Sequence, residues 1–352
     1  MAGSLGLMDV AFQRLTLPKL YPFAISRCVT TASDNLFVTV RDGDLTGIGE
    51  FSCGIGDALG AGAAEAQLRT LVANGVAELS IHDAYRRMRE AGLEGPAMAA
   101  LEIALWDLHA KRCGVPLYRV LGLPKRQVPT SITIGINPPE VVRARVPDLL
   151  TRTGCKFLKI KLGSKEGIEA DRASFEACRE AAGPYGAGLR VDANGGWSLA
   201  DARAMLPWLA ARDVEYVEQP LVKGNEADLP DLFRDRPLPI FVDESVRFAE
   251  DVPPLAGCVD GVNLKLMKCG GIGEAMRIVA VARALGLQTM IGCMSESSVG
   301  IAAGAAIGAL FDHIDLDSHL SLNPDPAEGL DLVDGVLTPR EVPGHGARLK
   351  NA

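Results

Sequence analysis

Short apolar runs recur along most of the chain, separated by longer stretches whose apolar residues are spaced three and four apart. From Thr130 onward the runs read TSITIGI (130–136), FLKIKL (157–162), GLRVDAN (188–194), VEYVEQP (214–220), LPIFVDES (238–245), GVNLKL (261–266), LQTMIGC (287–293) and HIDLD (313–317). Runs of this length bounded by turn residues predict buried strands. Between them, stretches such as LADARAMLPWLAARD and GEAMRIVAVARALG carry helical spacing. Eight strands alternating with helices predict a (β/α)8 barrel. An open doubly wound sheet is the alternative, but no glycine-rich dinucleotide fingerprint follows the first strand.

The stretch before residue 126 has a different rhythm. Strand-like VAFQRLTL and NLFVTVRD are followed by the turn DGDLTGIGE, and then by helical patterns in AAEAQLRTLVANGV, IHDAYRRMREAG and PAMAALEIALWDLHAKRCG. The last has Pro96 near its start and Gly114 just past its end, as a helix requires. Strands followed by helices predict an α+β cap over 1–125. The barrel then spans 126–320, and a tail over 321–352, rich in Pro, Gly and Asp, folds back to the cap.

Length and composition narrow the picture. A chain of 352 residues exceeds what one small core organises. Lys plus Arg number 36 against 44 Asp plus Glu, a net charge of −8 that argues against nucleic acid as a partner. No basic region followed by a long apolar core opens the chain, and VGIAAGAAIGALF is too short to span a bilayer, so neither a signal peptide nor a membrane span is expected. Eight scattered cysteines without metal-ligand spacing read as reduced thiols of a cytoplasmic protein.

Charged residues sit at the predicted strand ends, where a barrel carries its chemistry. Lys159 and Lys161 end the second strand, two residues apart and therefore on one face. Taken alone, such a pair reads as the protected edge of a sheet. Asp192, Glu218 and Asp243 end the next three strands, about one βα unit apart; Lys265 ends the sixth, and Asp315 and Asp317 lie at the eighth. One acid at such a position caps the following helix. Three in succession would repel one another unless a hard divalent cation joined them, and octahedral Mg²⁺ suits such a set. Lys161 and Lys265 then stand on opposite sides of an eight-strand ring, one for each face of a bound substrate. Lys159 beside Lys161 is expected to lower its ammonium pKa and free it as a base.

In order and spacing, KIK, DANGGW, EQP, DES and KLMKCGG resemble the enolase superfamily, and within it the muconate lactonizing enzyme subgroup. The resemblance covers essentially the whole chain. It implies Asp192, Glu218 and Asp243 as Mg²⁺ ligands, Lys161 and Lys265 as acid/base lysines, and Lys159 in support. The sequence IDLD is similar to the Asp-x-Asp of dipeptide epimerases, which implies that Asp315 and Asp317 share the α-ammonium of a dipeptide. GCMSESS, with Ser295, is similar to the same group, and Thr133 on the first strand is placed in the pocket.

The implied reaction inverts the α-carbon of the C-terminal residue of a small dipeptide by proton transfer between two lysines through an enediolate. Members acting on Ala-Glu carry an arginine in the first mobile loop; Thr30 stands at that position here, and Arg27 is read as framework, so Ala-Glu is not the expected substrate. Asp57 and Glu296 could favour a cationic side chain. N-acylamino acid racemisation and o-succinylbenzoate synthesis are rival reactions of the subgroup, but their substrates lack the free ammonium that IDLD would bind. A non-catalytic Mg²⁺-dependent peptide-binding protein would not need lysines on both faces. Family members often assemble, which leaves a homo-oligomer open.

Overall fold

Strand pairing in the computed structural model, which describes residues 8–54, 59–125 and 128–350, follows the order of the apolar runs. Ser131–Ile134, Phe157–Lys161, Gly188–Asp192, Val214–Glu218, Ile240–Val242, Gly261–Lys265, Gln288–Gly292 and His313–Ile314 form one eight-stranded sheet in chain order. Neighbouring strands pair in parallel, and a parallel bridge between Thr130 and Ile314 brings the last strand back to the first. The sheet closes into a barrel.

Alternation along each strand decides which side chains face inward. In Phe157–Lys161, Leu158 and Ile160 join the core beneath the surrounding helices, with Val142 and Val146 of Pro139–Thr153 and with Phe175 of Ile168–Ala182. Lys159 and Lys161 are the alternate residues. This strand is flanked on both sides and Lys159 is only 1% exposed, so the lysines do not protect an edge.

The cap is a three-stranded antiparallel sheet, Asp9–Ile25, Cys28–Asp42 and Leu45–Phe51, with helices Ala61–Ala73, Ile81–Glu90 and Gly95–Arg112. Helix Gly95–Arg112 lies so close to the sheet that a Cβ on Gly49 would fall 2.1 Å from the Ala100 carbonyl oxygen. Glycine is required there. The tail packs against the cap: Ala327 and Leu349 join Phe37 and Ile48 in one apolar cluster, and the His345 backbone N–H donates to Asp107 Oδ1.

Two buried glutamates of the cap dock it onto the barrel. The first N–H groups of any helix lack intrahelical partners. Glu50 accepts from the backbone N–H groups of Ser297 and Gly300 and from the Ser297 hydroxyl, capping helix Ser298–Ala306 from across the interface. Glu102 does the same for helix Ile272–Ala284, accepting from Ile272 N (2.8 Å), Gly273 N (2.8 Å) and Trp106 Nε1 (2.9 Å). Removing either carboxyl strands buried donors. Glu102→Ala is therefore expected to cost about 3 kcal/mol, read as a lower urea midpoint with an unchanged slope.

Candidate active site

The rim where the barrel strands end and the cap hairpin above it enclose a cavity of about 710 Å³. From the first hairpin strand Lys19, Tyr21, Phe23 and Ile25 face it, and from the second Cys28, Thr30 and Ala32. Both sets are alternate residues; Pro22, Ser33 and Asp34 line the cavity as well. Ser26 and Arg27 at the turn hold the hairpin down: Ser26 Oγ and Arg27 Nη1 donate to the Asn194 carbonyl, and Arg27 Nη2 pairs with Glu244 at 2.8 Å. Arg27 thus has the framework role read from the sequence.

Beneath the hairpin, the charged strand ends form one connected network. Lys161 Nζ lies 2.5 Å from Asp192 Oδ2. Lys159 Nζ lies 2.6 Å from both Glu218 Oε2 and Asp315 Oδ2, and 3.6 Å from Asp192 Oδ2. Lys265 Nζ lies 2.9 Å from Asp243 Oδ2, while Lys268 bonds Asp243 Oδ1 and three backbone carbonyls. Lys161, Lys265, Asp243, Asp315 and Asp317 line the cavity; Asp192, Glu218 and Lys159 are buried behind it. Asn194 and Gln219, in left-handed turns with φ of 43° and 37°, fix the loops after Asp192 and Glu218. Asn194 N donates to Asp192 Oδ1, and Gln219 Oε1 accepts from Asp243 N.

Carboxylates dominate the electrostatics around the buried lysines. Burial opposes the charge of Lys159, but Asp315, Glu218 and Asp192 outweigh burial and hold its pKa well above the ordinary value. Lys265 is raised in the same way, burial being outweighed by Asp243 and Glu218. Asp192, Glu218 and Asp243 nevertheless feel each other: burial, then Asp192, push the Glu218 carboxyl up to about 7, with Asp243 adding to the rise.

Among the described residues no three acids, histidines or cysteines meet as a ready-made metal cage, and each of these carboxylates faces a lysine. The donor set still fits a hard divalent cation. Three buried, mutually repelling carboxylates on consecutive strands are the ligand chemistry such an ion takes.

At the eighth strand, Asp315 and Asp317 have different partners within the protein. The strand is two residues long, and both acids follow it, Asp315 N still bonding the Ile291 carbonyl at 2.9 Å. Asp315 Oδ2 is held by Lys159, and among the described residues Asp315 Oδ1 has no hydrogen-bond partner. Asp317 Oδ2 accepts from the Thr133 backbone N–H at 2.6 Å; burial and then Asp315 push its carboxyl up to about 6. Thr133 and Ser295 also line the cavity, and the Ser295 carbonyl accepts from Ser33, Asn35 and Ser52 of the cap.

Glu296 does not line the cavity; it is buried, with Oε1 accepting from Met294 N. Asp57 lies outside the described residues. Thr30 holds the Lys19 ammonium at 2.6 Å. Lys268 was not singled out in the sequence, although KLMKCGG contains it; neither was Lys19, whose alternation with Tyr21 and Phe23 is the signal that marks it.

Two family models match the chain, mandelate racemase / muconate lactonizing enzyme, N-terminal domain over residues 10–122 and enolase C-terminal domain-like over residues 141–352. The chain belongs to the enolase superfamily. A hydrophobic dipeptide epimerase of Roseobacter litoralis is 58% identical to this superfamily member, covering 98% of the chain and 100% of the relative. An L-Ala-D/L-Glu epimerase of Bacteroides thetaiotaomicron is 38% identical over 71% of the chain and 63% of the relative. Among solved structures, a dipeptide epimerase from Enterococcus faecalis complexed with Mg and L-Leu-L-Tyr superimposes with a TM-score of 0.90, at 32% identity over 97% of this chain and 99% of that one.

The buried Glu296 gives a pH prediction. Burial, with Glu50 adding to it, pushes its carboxyl up to about 8, against about 4.3 for a free glutamate. The folded state therefore holds this proton longer than the unfolded state, and stability falls as pH rises from about 4.3 to about 8. Glu296→Gln is expected to raise the thermal midpoint relative to the parent, by more at pH about 8.5 than at pH about 5.

Proposed function

We propose that the chain is a Mg²⁺-dependent dipeptide epimerase that inverts the α-carbon of the C-terminal residue, acting on hydrophobic rather than Ala-Glu dipeptides. One observation carries the reading: Lys161 and Lys265, from the second and sixth of eight strands, line the same cavity as Asp315 and Asp317. The relatives named as dipeptide epimerases support it, and the apolar hairpin wall with Thr30 in it supports the preference.

Asp192, Glu218 and Asp243 would hold the cation, which when bound supplies positive charge toward the substrate carboxylate. The division into a cap over 1–125, a barrel over 126–320 and a tail over 321–352 belongs to the same reading, as does a cytoplasmic location, supported by eight free cysteines.

Asp315 and Asp317 take the α-ammonium of the first residue and so fix the register of the peptide. Lys161 removes the α-proton of the second residue from one face, and Lys265, as an ammonium, returns a proton to the other. Exchanging the roles runs the reaction backwards. Lys159 favours the ionised forms of Asp315 and Glu218 and orients them, and Lys268 does so for Asp243.

The test is deuterium uptake: the protein is incubated with Mg²⁺ and pools of L,L-dipeptides in D₂O, followed by mass spectrometry. A gain of one mass unit confined to apolar dipeptides is expected, falling about 10²–10⁴-fold in Lys161→Ala and Lys265→Ala. Uptake by an N-acylamino acid and by no dipeptide would replace this reading with a racemase. Asp317→Asn is expected to raise KM for dipeptides by at least about tenfold through loss of a charge-assisted contact.

A further inference from the structure

Lys161, Lys265, Lys268 and Arg27 each meet a carboxylate at the cavity. Lys19 does not. Among the described residues its hydrogen bond is to the Thr30 hydroxyl, at 2.6 Å, and its ammonium lies 5.2 Å from the centre of the Phe23 ring. An ammonium carries three donors, so two remain for whatever enters the cavity.

The placement is built. The Lys19 backbone pairs with Leu322, and Asn323 N donates to the Pro18 carbonyl at 2.8 Å, which ties this part of the hairpin to the segment that follows Asp317. Tyr21, Phe23 and Leu322 line the same cavity and give its wall apolar surface beside Lys19. Burial lowers its pKa to about 8, Cys28 and Cys293 acting in the opposite direction. The Cys293 thiol in turn lies 3.4 Å from the Asp315 carbonyl and 3.9 Å from Asp317 Oδ1. Lys19 therefore stands on the Asp315/Asp317 side of the cavity.

We propose that Lys19 is a specificity-determining donor for the side chain of the first residue, selecting one with an apolar body and a hydrogen-bond acceptor at its end and rejecting a cationic end. The inference rests on the dipeptide reading, in which the aspartate pair holds the ammonium of that residue. A pocket that places a half-buried donor in an apolar wall discriminates strongly against a ligand that leaves it unpaired. Tyrosine fits this chemistry, phenylalanine leaves the donor unused, and lysine places two ammonium groups together.

The experiment compares Tyr-Ala with Phe-Ala, and Ala-Tyr with Ala-Phe, in the full chain with Mg²⁺. Deuterium uptake gives kcat/KM, and calorimetry gives Kd independently of turnover. A Tyr-Ala over Phe-Ala preference of about tenfold is expected in both readouts. It should collapse toward unity in Lys19→Met, in which Lys-Ala gains on Phe-Ala, while the Ala-Tyr to Ala-Phe ratio is unmoved by the substitution. Thr30→Val, which keeps the ammonium but removes its anchor, lowers the same Tyr-Ala preference and serves if Lys19→Met does not fold. A Tyr-Ala to Phe-Ala ratio equal in parent and variants overturns the role of Lys19, even with robust uptake. Discrimination in Kd without any uptake overturns the epimerase reading and leaves the role of Lys19 standing. Neither binding nor uptake overturns both.

Discussion

Charge balance in a nearly dry space governs the barrel mouth. Lys159, Lys161, Lys265 and Lys268 share it with Asp192, Glu218, Asp243, Asp315 and Asp317, and most of these side chains are less than a tenth exposed. Isolated, any one of these charges would cost several kcal/mol to bury. Together they are tolerable only because each acid lies against a base or a backbone donor. Lys159 is central because it touches acids from three strand ends at once. The same crowding suits chemistry, since a substrate entering with one carboxylate and one ammonium presents the two charges this network is built to trade.

Much of this was legible in the chain. The eight runs became eight strands because strand burial on both faces leaves near-continuous apolar sequence. The spacing of Asp192, Glu218 and Asp243 became proximity because parallel strands in register bring strand ends to one rim; Lys161, Asp192 and Glu218 are direct neighbours across the sheet. The lysine pair in KIK could not be resolved locally, since an edge strand and a barrel interior look alike until the neighbours on both sides are known.

What stayed hidden depends on contacts distant in sequence. Glu50 and Glu102 sit in unremarkable cap sequence and bond helices about 250 and 170 residues away, as Gly300 and Ile272 show. Lys19 went unmarked because only the folded hairpin brings it over the cavity. The acids around Lys159 stayed hidden for a related reason: pairwise spacing along one strand says nothing of the carboxylates that other strands bring against it.

The division of labour between hairpin and barrel has an evolutionary consequence. The groups that would move protons sit on barrel strands, whereas Lys19, Tyr21, Phe23 and Thr30 sit on a cap held in place by other residues, Arg27, Glu50 and Glu102. The wall of the pocket can therefore be rewritten by a few substitutions on one hairpin without disturbing either the reactive network or the clasps that seat the cap. A lineage with this architecture can diversify its diet while its chemistry stands still.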